Sequence, residues 1–192
     1  MIILASASPR RQELLRLITE DFKVVCSNAD ERQIEQQLKG GDIMDLPVHL
    51  ARAKAREVFE RTGEADTVVI GADTAVICDG RVLGKPASKD EARQMLTFLS
   101  GKSHSVVTGV CVISGSREEA FREESIVTFN PADDLQKGII ERYISSDDPY
   151  DKAGAYGIQN GGALLVQKVE GDYFNIVGLP VARLARVLYS LF

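Results

Sequence analysis

The chain has 192 residues, 44% hydrophobic and 27% charged, a balance that excludes disordered and collagen-like chains and fits an ordinary globular fold. Its 23 basic and 28 acidic side chains leave a net charge of −5 and a pI of 5.2, which argues against a broad footprint on a nucleic-acid polymer but allows a local basic pocket for a small anion. No apolar run approaches the ~20 residues of a membrane span, and the N-terminus lacks a signal-peptide pattern, so the length predicts one cytoplasmic domain over residues 1–192.

Residues 2–5 read as a short buried strand. Ser8 and Pro9 then open a helix to about Ile18, serine as N-cap and proline at the first helical position. Residues 22–26 are a second strand candidate, and Asp30-Glu31 reads as part of a polar loop. Over residues 47–62, Val48, Ala51, Ala55, Val58 and Phe59 recur at helical spacing, with Asp45 as the cap. Residues 67–71 form an apolar β run. Residues 74–78 and 81–83 flank Asp79-Gly80, a dipeptide favoured in tight hairpin turns.

Ser88 and Glu91 form a capping box for a helix carrying Ala92, Met95, Leu96 and Leu99, closed by Ser100-Gly101. Residues 105–113 and 125–129 pair as strands across the polar turn Ser114-Gly115-Ser116, and a helix follows over residues 133–144. Residues 145–162 are irregular, a strand covers residues 163–169, and Leu179-Pro180 starts a last helix with Val181, Leu184, Ala185 and Leu188 inward. Hairpins mixed among helices predict an α/β fold with a mixed sheet. The three cysteines, Cys26, Cys78 and Cys111, have no metal or redox spacing and read as small buried residues of a reducing compartment.

Three features carry chemistry. Ser8-Pro9-Arg10-Arg11 puts two cations in a first helical turn, against the macrodipole, where unpaired N–H groups already favour an anion. They form either a polyphosphate cradle or a pair of solvated arginines. Asp73 lies in the nearly apolar run Val68 to Ile77, so its carboxylate needs a cation or several donors; the alternative is a turn residue at a kink marked by Gly71. The stretch from Asp148 to Gln159 combines tyrosines, small residues and glutamine, as in a loop that stacks on or hydrogen-bonds a base, or in a tight surface connection.

Around these stand further candidates with an ordinary reading beside each. Lys54 borders the apolar helix face, Lys85 sits between Gly84 and Pro86 after the hairpin, and Glu31 offers a second carboxylate. Gly101-Lys102-Ser103 imitates a P-loop ending, but it follows a helix and precedes a strand, the wrong order, and Leu96 holds the earlier glycine position. Only His49 and His104 exist, so a bound metal would be a hard cation on oxygen ligands, Mg²⁺ or Mn²⁺.

In order along the chain, Ser6-Ala7-Ser8-Pro9-Arg10-Arg11, Gly71-Ala72-Asp73-Thr74, Leu83-Gly84-Lys85-Pro86, Gly101-Lys102-Ser103-His104 with Thr108-Gly109, Asp151 to Gln159, and Asn175-Ile176-Val177-Gly178-Leu179-Pro180 resemble the Maf family of nucleoside triphosphate pyrophosphatases, also called septum-formation inhibitors. The resemblance implies a fold like inosine triphosphate pyrophosphatases: an elongated mixed sheet flanked by helices, two lobes with a central cleft, and a homodimer. It implies conversion of a nucleoside triphosphate to the monophosphate and pyrophosphate with a divalent metal.

By the same resemblance Asp73 is the proton acceptor, and Arg10, Thr74 and Gln159 match the specificity positions of the dTTP/UTP branch. Ser8, Arg11, Glu31, Lys54 and Lys85 match the phosphate and metal neighbourhood, Glu31 and Asp73 being the metal carboxylates and Lys54 and Lys85 assisting Asp73. Asn130 stands where members often carry a basic residue. The rival expectation is a non-catalytic nucleotide-sensing regulator of septum formation that uses the same cradle for recognition alone.

Overall fold

The computed structural model describes residues 1–38, 40–62 and 66–191. The alternation of short apolar runs and amphipathic helices folds, in chain order, as β1 (Ile2–Leu4), α1 (Pro9–Arg16), β2 (Phe22–Val24), α2 (Glu31–Gln37), a 3₁₀ turn (Ile43–Asp45), α3 (Leu46–Thr62), β3 (Val68–Cys78) and β4 (Arg81–Leu83). Then follow α4 (Lys89–Leu99), β5 (Ser103–Ser114), β6 (Arg117–Phe129), α5 (Asp134–Tyr143), three 3₁₀ turns (Asp148–Asp151, Ala153–Ala155, Asn160–Leu165), β7 (Val166–Glu170), α6 (Tyr173–Val177) and α7 (Val181–Leu191).

Among the described residues the strands make a seven-stranded mixed sheet in the order β2-β1-β3-β5-β6-β7, with β4 added beside β3. β1 runs parallel to both β2 and β3, while β3–β4 and β6–β7 are antiparallel. The expected mixed α/β architecture is therefore present. The chain divides into two compact units: Met1–Thr74 with Thr108–Glu123 and Phe174–Phe192, and Ala75–Val107 with Glu124–Tyr173.

In the first unit β1 registers Ile2, Ile3 and Leu4 against Val68, Val69 and Ile70. Ile3, Ala5, Ala51, Ala55, Val58, Val69, Cys111 and Ile113 form a buried cluster beneath α3. Small residues let this helix sit directly on the strands. A Cβ on Gly71 would lie 2.2 Å from the Ala51 carbonyl oxygen, and one on Gly109 would lie 2.2 Å from the Pro47 carbonyl carbon. Gly71 therefore marks a close approach, not a kink, and β3 runs unbroken through Asp73, which corrects the turn reading of that residue.

Other local expectations change for identifiable reasons. Asp42 accepts the Met44 N–H at 2.9 Å and starts the 3₁₀ turn, while Asp45 lies 2.6 Å from Arg122 and caps nothing. Glu31 is not in a loop, because the Asp30 carboxylate accepts the Gln33 N–H at 3.1 Å and starts α2 there. Cys26 is exposed, lying beyond the end of β2, whereas Cys78 and Cys111 are buried. On α7, Val187 takes the buried position expected of Ala185.

In the second unit the hairpin between β3 and β4 turns through Asp79 and Gly80, both at positive φ (49° and 72°), the geometry that this dipeptide favours. Ser88 caps α4 by accepting the Glu91 N–H, and Glu91 returns a bond from the Ala87 N–H. Gly101-Lys102-Ser103 follows α4 and leads into β5, with the Gly101 N–H donating to the Asn130 carbonyl at 2.8 Å. Asn130 in turn donates its amide to the Leu164 carbonyl at 3.0 Å, so its side chain fastens the 3₁₀ turn Asn160–Leu165.

Candidate active site

The start of α1 is built as its sequence dictates. Ser8 is extended, its hydroxyl accepts the Arg11 N–H at 3.4 Å, and Pro9 occupies the first turn, which holds no acidic residue. The Arg11 side chain does not splay into solvent. Its Nε donates to the Gly178 carbonyl at 2.9 Å and Nη1 to the Ala72 carbonyl at 2.9 Å and the Ser6 hydroxyl at 3.2 Å, while Nη2 donates to the Thr74 hydroxyl at 3.0 Å. Burial lowers the Arg11 pKa, and the nearby Asp73 carboxylate opposes that shift.

Asp73, on β3, meets α3 two residues beyond the close approach at Gly71. Lys54 Nζ stands 2.7 Å from Asp73 Oδ1 and 2.8 Å from Glu31 Oε1. The Lys54 and Asp73 side chains are only 12% and 17% exposed, against 52% for Glu31, so the inner pair is shielded from solvent and the outer carboxylate is wet. The half-buried Asp73 on the adjoining strand holds the helix-face lysine in place.

Thr74 points to the opposite side of β3 from Asp73, as strand alternation requires. Its hydroxyl lies 2.9 Å from that of Thr108, and Thr108 donates to the Asn175 carbonyl at 2.9 Å. A hydroxyl has one proton, so Thr108 can only accept from Thr74, and the chain runs Arg11 to Thr74 to Thr108 to Asn175. Thr108 is fully buried. Its signal in the sequence was a hydroxyl inside Val106-Val107-Thr108-Gly109-Val110, a polar atom that burial forces to find a partner.

The first unit contains Ser8, Arg10, Arg11, Glu31, Lys54, Asp73 and Thr74; Arg11 is bonded to Ser8 and Thr74, and Lys54 to Asp73 and Glu31. Lys85 and Gln159 belong to the second unit. Lys85 is exposed beside the buried Pro86, and its loop is fixed by a 3.0 Å bond from the Gly154 N–H to the Gly84 carbonyl. Gln159 is half-buried and precedes the 3₁₀ turn Asn160–Leu165; its amide bonds to no described residue.

Among the described residues no group of three or more His, Cys, Asp or Glu side chains is placed to hold a metal. Two carboxylates, Asp73 and Glu31, do converge on one position, where the Lys54 ammonium sits. Such a donor set suits a hard cation of the Mg²⁺ type, which takes one or two carboxylates and completes its shell with phosphate and water.

A family model described as Maf-like protein matches residues 1–191, and the chain belongs to the Maf family. It is 46% identical over 187 residues to a dTTP/UTP pyrophosphatase of Bacillus cereus, covering 97% of this chain and 93% of that one. A Thermococcus gammatolerans protein of the same name is 49% identical over 181 residues, covering 94% and 91% of the two chains. One from Bacillus pumilus is 48% identical over 187 residues, covering 97% and 94%.

Proposed function

We propose that this chain is a nucleoside triphosphate pyrophosphatase that hydrolyses dTTP and UTP to the monophosphate and pyrophosphate. The observation that carries the reading is the shielded Lys54–Asp73 pair, with Glu31 at its outer side and the cationic start of α1 in the same unit. Relatives matched over nearly their whole length bear the name of this activity.

Water attack on the α-phosphorus forms the new P–O bond, the bond from the α-phosphorus to the α,β-bridging oxygen breaks, and pyrophosphate leaves with that oxygen and the electron pair. Lys54 holds Oδ1 of Asp73, which leaves Oδ2 to take the proton from the attacking water. A triphosphate brings about four negative charges, and Arg10, Arg11, Lys54 and Lys85 supply cations from an otherwise acidic protein. The N–H groups at the start of α1, prepared by the Ser8 cap, add donors for phosphate oxygens.

Asp73 and Glu31 would hold a divalent cation, Mg²⁺ or Mn²⁺, which when bound supplies charge neutralisation on the phosphates. Gln159 offers a donor and an acceptor to a pyrimidine edge, and Thr74 and Arg10 take the other specificity positions. The reading includes a cytoplasmic enzyme working as one domain and as a homodimer, with no nucleic-acid polymer as partner. Among the described residues no helix is long and apolar enough to cross a membrane.

Incubation with dTTP, UTP, GTP and ATP plus Mg²⁺ or Mn²⁺ tests the proposal through the product. Pyrophosphate with the monophosphate is expected, fastest from dTTP and UTP. Orthophosphate as direct product would make the chain a phosphatase. Tight nucleotide binding without turnover would make it the nucleotide-sensing regulator.

A further inference from the structure

Tyr143, the last residue of α5, carries no role in the reading above, yet the segment holding Gln159 is wrapped around its side chain. The Gly157 N–H donates to the Tyr143 hydroxyl at 3.0 Å, and that hydroxyl donates to Asp148 Oδ2. Lys152 Nζ holds the same aspartate through Oδ1 at 3.2 Å and through its carbonyl oxygen, and also binds Asp151 at 2.6 Å. At the far end of the segment a Cβ on Gly161 would meet the Tyr143 ring at 3.2 Å. One on Gly162 would lie 3.1 Å from the hydroxyl and 2.0 Å from the Gly157 carbonyl oxygen.

The two ends of the segment 157–162 therefore close on each other over one tyrosine, and Gln159 lies between them. Its backbone is clamped while its amide bonds to no described residue, the state expected of a group kept for a ligand. Burial and the Asp148 carboxylate push the Tyr143 hydroxyl above its ordinary pKa, so at neutral pH it keeps the proton that it gives to Asp148.

We infer that Tyr143, braced by Asp148 and Lys152, is the positioning residue that sets the Gln159 amide for base recognition, without touching the substrate. The inference rests on the reading of Gln159 as a base-sensing residue. Removing the hydroxyl would free the Gly157 end of the loop and let Gln159 sample other orientations. The loss should then fall on discrimination between bases and much less on turnover.

The test compares kcat and KM for UTP and CTP, whose Watson–Crick edges differ in donors and acceptors, in wild type, Tyr143→Phe, Gln159→Ala and the double variant. Tyr143→Phe removes both the acceptor for the Gly157 N–H and the donor to Asp148, and should narrow the UTP-over-CTP ratio of kcat/KM about fivefold. That change should appear mainly in KM and vanish when Gln159 is already alanine. If Tyr143→Phe does not fold, Gly157→Ala replaces it: its Cβ would lie 2.7 Å from Lys152 Cε and push that side chain off Asp148, loosening the same clamp without altering the tyrosine. The same narrowing is expected.

A ratio unchanged within about twofold, an equal fall for both nucleotides, or an undiminished further narrowing in the Gln159→Ala background each overturns the inference. Should Gln159→Ala itself leave the ratio intact, the base-sensing role of Gln159 fails and the inference falls with it. Narrowing in Gln159→Ala but not in Tyr143→Phe overturns the inference alone.

Discussion

The guanidinium of Arg11 completes the hydrogen-bond ladder of β3 at Ala72. The last backbone bond from the β1 side is Ala5 N–H to the Ile70 carbonyl, and two residues further along that edge Arg11 Nη1 reaches the Ala72 carbonyl at 2.9 Å. A side chain stands where the next strand donor would have been, so β1 can leave the sheet beside Asp73 without orphaning a carbonyl. Arg11→Lys keeps the charge but replaces a fork of donors with one ammonium, leaving some of the Gly178, Ala72 and Thr74 acceptors unmatched. The expected loss is about 2–4 kcal/mol in urea unfolding, similar for Arg11→Met. A lysine variant with wild-type stability and a raised KM for UTP would instead assign the guanidinium chiefly to phosphate.

Asp73→Asn separates chemistry from architecture. Asparagine keeps the shape and an oxygen for Lys54 but cannot take a proton from water, so kcat for UTP should fall ~10²–10⁴-fold with the melting temperature little changed. A folded variant turning over at the wild-type rate would remove Asp73 from the base role. Lys54→Met should be worse for stability, because it leaves a mostly buried carboxylate without its cation.

How much of this was legible in the sequence depended on whether a residue acts locally. The Ser8 cap, the Ser88 cap and the Asp79-Gly80 turn are satisfied within a few residues, and each stands where the sequence put it, although Glu91 reaches the Ala87 N–H and not that of Ser88. Lys54 and Gly71 are ambiguous in isolation, because the meaning of both comes from α3 lying against β3, a contact between residues far apart in the chain. Arg11 reads alike as a phosphate ligand or a solvated cation for the same reason: three of its acceptors, on Ala72, Thr74 and Gly178, come from distant segments. Tyr143 gave no signal, since a tyrosine at a helix end is ordinary until the loop around it is seen.

The hydroxyl chain beneath Thr74 should show as coupling. Thr108→Val removes the acceptor for the Thr74 proton and the donor to the Asn175 carbonyl, both in a dry environment, and should cost about 1–3 kcal/mol. Thr74→Val should cost a similar amount, and the double variant less than the sum, because either change breaks the same chain. Additive losses in equilibrium unfolding would show that the two hydroxyls act independently.

His104 predicts a pH dependence whose sign follows from its surroundings. Its ring packs edge-on against Phe129 and Tyr156 at centroid distances of 5.1 and 5.5 Å, Nε2 lies 2.6 Å from the Tyr156 hydroxyl, and Nδ1 has no partner among the described residues. Burial lowers the imidazole pKa from 6.5 to about 4. The unfolded chain therefore binds this proton first as the pH falls. The folded state keeps its full advantage above pH 6.5, loses it progressively down to about pH 4, and loses no more below that. The shift corresponds to about 3 kcal/mol. His104→Gln can keep a bond to Tyr156 but does not titrate, and the carboxylates common to both proteins cancel in the difference. The stability of this variant relative to wild type, from urea melts between pH 7 and pH 4, should rise by about that amount. A difference that stays flat across the interval would show that His104 takes up its proton without opening the fold.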